Sequence, residues 1–68
     1  MTKKESKLLL NHIVANMIVA EAQLERGEIG YETYNALILA NRDLANSFIR
    51  DREDYNEFRN WYERFQPV

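Results

Sequence analysis

A single histidine, His12, and no cysteine leave this chain few routes to covalent or metal chemistry. Thiolate zinc sites and disulfides are excluded. His12 has no Ser, Cys or Asp at usable local spacing for a nucleophile–base pair. A di-iron bundle uses Glu-x-x-His on a helix, and the residue three before His12 is Leu9. Glu53 and Glu57 stand one turn apart, but in a solvated charge run with no histidine beside them. The two glycines, Gly27 and Gly30, read as a turn between helices rather than a phosphate loop. The expectation is a protein that is not an enzyme, with no cofactor and no metal.

Binding chemistry is better represented. Six of the eight aromatics lie between Phe48 and Phe65, interleaved with Arg50, Arg52, Arg59 and Arg64. Trp, Tyr and Arg dominate binding hot spots, so Phe58, Arg59, Trp61, Tyr62, Arg64 and Phe65 form the candidate partner-binding face. The same residues could stack on bases while Arg meets phosphate. Asp51, Glu53, Asp54, Glu57 and Glu63 oppose that version, because they repel phosphate and can pair with the arginines. Arg50 with Asp54, and Arg59 with Glu63, have the required i,i+4 spacing. The plainer reading is an amphipathic helix that packs its aromatics into the core.

These residues have to be positioned by very little chain. At 68 residues there is one domain, and a core of that size is marginal without oligomerisation. The net charge of -2 is too balanced for a nucleic-acid sleeve. Lys3, Lys4 and Lys7 precede an apolar run, and Ala20-Glu21-Ala22 has the small-x-small pattern of a cleavage site. Asn11, His12 and Asn16 interrupt that run, which is too short and too polar for a signal or a membrane span. A cytoplasmic protein is expected.

Thr2 and Glu5 fit a capping box that starts a helix over about 3–26. Gly27 suits its left-handed end, and Gly30 suits the N-cap of a second helix, with Ile29 and Tyr34 placed as a hydrophobic staple. The stretch Leu24-x-x-Gly27-x-Ile29-Gly30-x-x-x-Tyr34 resembles the turn of small bacterial SHOCT hairpin domains. Those domains carry Thr or Ser where Gly30 stands and an acidic residue where Thr33 stands. The resemblance spans only residues 24–34, and it implies a hairpin and no activity.

After the turn, Tyr34, Leu37, Ile38, Leu44, Ala45, Phe48 and Ile49 share one helix side, and the tail aromatics share another. The polar run 50–54 separates them. Asp54 and Glu57 can cap a new helix there, so a second helix over about 31–50 and a third over about 55–65 are predicted. The rival is one continuous supercoiled helix. Pro67 ends whatever helix precedes it.

The first helix carries the surplus. Of residues 8–24, 12 of 17 are apolar. Leu9, Leu10, Ile13, Met17, Ala20 and Leu24 suit the second helix. Leu8, Val14, Ala15, Ile18, Val19 and Ala22 form a second patch, for which the candidate role is self-association, with Asn16 or His12 setting register. The competing reading folds the tail back over this patch. Asn41, on the second helix's apolar face, is a further register candidate across a two-fold axis.

The predicted fold is therefore all-α: an antiparallel helical hairpin plus a short C-terminal helix, dimerising into a helical bundle. The predicted function is stoichiometric binding to a larger protein, as in the inhibitors and accessory proteins of phages and mobile elements, an analogy of build alone. A nucleic-acid-associated regulator and a structural subunit of a larger assembly are the alternatives.

Overall fold

The computed structural model describes residues 2–63, and among them the chain forms three helices and no strand. These are α1 (Lys3–Glu25), α2 (Tyr31–Asn46) and α3 (Arg52–Tyr62). α1 begins where Thr2 and Glu5 satisfy each other's free amides. The Glu5 N–H donates to the Thr2 hydroxyl at 3.1 Å, and the Thr2 N–H donates to Glu5 Oε1 at 3.1 Å. The Thr2 amide holds the Glu5 carboxyl below its ordinary pKa.

α1 ends in a Schellman turn. The Gly27 N–H donates to the Leu24 carbonyl at 3.0 Å, and the Glu28 N–H donates to the Gln23 carbonyl at 2.9 Å. Gly27 takes φ 74° with open space where a Cβ would stand, so backbone strain alone opposes a side chain there. Gly30 has φ -90° and ψ 176°, which any residue adopts, and it makes no side-chain cap for α2.

The core forms where α1 packs along α2 and, over a shorter stretch, against α3. α1 buries Ser6, Leu10, Ile13, Val14, Met17 and Ala20. Apart from Val14, these follow alternating steps of four and three, which keeps one seam facing its neighbour. α2 contributes Tyr34, Ile38 and Ala45. Ile29, Leu24, Phe48, Ile49 and Tyr62 close the margins, half-buried.

Three expectations change. The α2 seam is narrower than expected: Ile38 is 0% exposed, whereas Leu37 is 36% and Leu44 is 49% exposed. Residues 36–39 are all apolar, so periodicity could not choose among them, and packing against α1 does. Leu9, expected in the main stripe of α1, is exposed for the same reason.

α2 also stops at Asn46, short of the predicted 50, and the chain turns through 47–51. The Ser47 and Phe48 amides close short bonds to Leu44 and Ala45 at 3.1 and 2.9 Å. Phe48 and Ile49 then pack against the core from within the connection. A straight continuation would have carried the tail aromatics away from that core. Finally, Asp51 caps α3 in place of Asp54. Asp51 Oδ1 accepts the Asp54 N–H at 2.9 Å, and Asp54 is buried at the third helical position.

Ile38→Ala is expected to destabilise the fold by about 2–5 kcal/mol, and Leu37→Ala by less than about 1 kcal/mol. Urea unfolding of both variants reads the register directly, and a larger loss at Leu37 would refute it. At the turn, Gly27→Ala should lower stability by roughly 1–2 kcal/mol. Gly30→Ser should raise it by a few tenths of a kcal/mol through a new cap; equal melting shifts at the two glycines would contradict the assignment.

Candidate functional site

α3 lies beside the N-terminal half of α1 with a constant offset. Lys3 Nζ donates to Glu53 Oε2 at 2.8 Å, and Lys7 Nζ stands 3.6 Å from Glu57 Oε1. Each pair joins residues fifty apart, so the two pairs rise together along both helices. Farther up, Leu10, Asn11 and Val14 of α1 face Phe58 and Trp61 across a narrow crevice that also holds Asp54. Exposed ion pairs add little stability. Their regular offset selects one register for α3 on α1.

Asp51 and Asp54 anchor the lower end. Asp54 is 2% exposed, and its Oδ2 accepts the Arg50 backbone N–H at 3.3 Å. The predicted Arg50–Asp54 side-chain pair is therefore replaced by a backbone bond, because the carboxylate points into the fold. Among the described residues no buried side-chain nitrogen or oxygen lacks a partner. The Asp54 amide, and then Lys3 at 3.6 Å, hold the Asp51 carboxyl below its ordinary 3.8. Lys3 is raised in turn by its hydrogen bond to Glu53 and the charge of Asp51.

This docking buries two of the candidate interface residues. Phe58, expected on the partner-binding face, is 6% exposed and belongs to the core. Val14, expected on the self-association patch, is buried because α3 covers that flank of α1. Tyr62 is half-buried, stacked on Phe58 at 6.1 Å, with the Arg42 guanidinium 5.5 Å from its ring centre. Trp61 and Arg59 stay exposed, and Arg59 Nε donates to Glu63 Oε1 at 3.1 Å. Arg64 and Phe65 lie outside the described residues.

The rest of the α1 patch stays open. Leu8 is 61% and Val19 54% exposed; Ala15, Asn16 and Ile18 are also exposed, and Ala22 is half-buried. Leu8, Ala15, Val19 and Ala22 fall within about 60° of helix rotation. His12 lies in this stripe and is exposed too. Asn41 is half-buried, and its amide donates to the Leu37 carbonyl one turn back at 2.8 Å.

A feature not anticipated from sequence lies on the far side of α3. Arg50, Arg52, Tyr55, Asn56 and Arg59 line an open depression of about 540 Å³, together with Ile49 and Asp51. A second depression of about 400 Å³ continues from Tyr55 and Arg59 toward Arg42 and Tyr62. The mixed run 50–54 concealed it, since helical geometry alone does not say which side α3 turns to α1.

Among the described residues no three His, Cys, Asp or Glu side chains come together as a metal site. No described helix is long and apolar enough to cross a membrane. Comparisons with protein families, with curated proteins and with solved structures return no match.

Asp51 gives a pH signature. A carboxyl depressed in the folded state stabilises it above pH 3.8, and that contribution is lost as pH falls through the lowered value. Trp61, the sole tryptophan, reports α3 docking by fluorescence. Asp51→Asn keeps a good cap and removes this titration, so its Trp61 signal should change less below pH 3.8 than that of the wild type. Superimposable acid profiles would contradict the role given to Asp51.

Proposed function

We infer that this is a small protein-binding module that acts stoichiometrically on a larger protein, and that it does so as a homodimer. In this reading α1 and α2 form an antiparallel hairpin, and two copies pair into a helical bundle in the cytoplasm. The observation that carries it is the open apolar stripe on the outer side of α1.

Leu8, His12, Ala15, Val19 and Ala22 repeat the alternating four–three spacing of the buried seam on the opposite side of the same helix. That spacing is what a helix needs to meet a second helix along its length. Ala15 and Ala22 permit close approach, and Leu8 and Val19 supply the apolar area. A core drawn from 68 residues gains most from such an association. Apolar side chains left in water along one continuous stripe are a characteristic of interaction surfaces.

Sedimentation equilibrium over a wide concentration range tests the reading. The wild type is expected to reach twice the monomer mass. Val19→Asp is expected to sediment as a monomer with its helical circular dichroism intact. A wild type that stays monomeric, or a variant of unchanged mass, would overturn the proposed pairing.

A further inference from the structure

α3 sorts its charges by side. Glu53 and Glu57 turn toward Lys3 and Lys7 of α1. Asp51 is engaged as a cap, and Asp54 is buried. Arg52, Tyr55, Asn56 and Arg59 occupy the face pointing away, joined by Arg50 from the connection. In sequence the tail mixes four arginines with five acidic residues. In the fold Asp51, Glu53 and Glu57 meet lysines of α1, Asp54 is buried, and Glu63 pairs with Arg59. Among the described residues Arg59 has Glu63 as a partner, whereas the guanidiniums of Arg50 and Arg52 have none. Tyr55, half exposed, lies between them as the aromatic floor.

We propose that this cleft is the docking site for an acidic segment of the protein partner. Two carboxylates of that segment meet Arg50 and Arg52 at one end and Arg59 at the other, and an apolar side chain rests on Tyr55. The proposal rests on the protein-binding reading above and gives that partner its chemistry.

Guanidinium groups bind carboxylates through two parallel hydrogen bonds, and an arginine beside an exposed tyrosine is a typical hot-spot pairing. The distance from Arg52 to Arg59 along α3 is about 10 Å, between the roughly 7 Å and 13 Å that separate carboxylates two and four residues apart on one face of an extended strand. A small ligand needs most of its surface enclosed, and this depression faces solvent. A nucleic-acid strand gains affinity from each phosphate neutralised. Here two unpaired arginines, a nearby Glu63 and a net charge of -2 offer it little.

The test uses the full chain and an array of fluorescein-labelled peptides of about ten residues. Each peptide carries two Glu flanking a Leu, at every separation up to about six residues. Matched peptides carry Gln in place of Glu, and oligo(dT) is a separate arm. Anisotropy is read at about 50 mM salt, where charge pairing is weakly screened.

At least one Glu peptide should bind roughly tenfold tighter than its Gln counterpart. The Arg50→Gln/Arg52→Gln double variant should abolish that preference while keeping its helical circular dichroism, and Lys4→Gln should leave it unchanged. No Glu preference anywhere in the array, or a preference that survives the double variant, would overturn the proposal. Oligo(dT) binding above every Glu peptide, with steep salt dependence, would also overturn it in favour of nucleic acid. Val19→Asp lies on α1 outside the cleft, so failure of the pairing in sedimentation leaves the peptide result standing, and the reverse holds.

Discussion

Asp54 is a carboxyl group only 2% exposed, and the seating of α3 turns on it. Burying such a group is unfavourable unless its oxygens find donors. Here the Arg50 amide supplies one at 3.3 Å, and that bond closes the connection onto the first turn of α3. Asp51 supports the same turn from outside by accepting the Asp54 amide. Two aspartates three residues apart thus end the connection, start the helix and seat its first turn against α1. Ser6, the other buried polar side chain among the described residues, lies near the same end of α1.

Once α3 is seated, the surfaces of the molecule are assigned. Phe58 and Val14 pass into the core, and the aromatic tail loses much of what made it look like a free binding face. The lysine–glutamate pairs hold α3 in register and consume its acidic side. What remains outside is the arginine–tyrosine cleft on one side and the Leu8–Val19 stripe of α1 on another. One helix, α1, therefore serves α2 and α3 with its inner surface and still presents an apolar outer stripe.

The α2 seam shows how such assignments escape periodicity. Ala36, Leu37, Ile38 and Leu39 offer an apolar residue at every phase. Selecting Ile38 and Ala45 leaves Leu37 and Leu44 outside the buried cluster that holds Met17 and Ala20 of α1. The offset between α1 and α3 was present in the sequence as two lysines and two glutamates at matching four-residue intervals. It was invisible until a contact fifty residues long brought the intervals together.

The sequence by itself determined the features whose hydrogen bonds close within a few residues. Thr2 and Glu5 start α1, Gly27 ends it in the left-handed conformation, and Gly30 opens α2. The all-helical class and the unusual apolar width of α1 follow from composition and spacing at the same short range. Tertiary structure decided which phase of α2 is buried, where the second helix stops, and which side of α3 carries its arginines outward. Those choices depend on the relative volumes and charges of segments up to fifty residues apart, and a local pattern carries no information about what another helix will place against it.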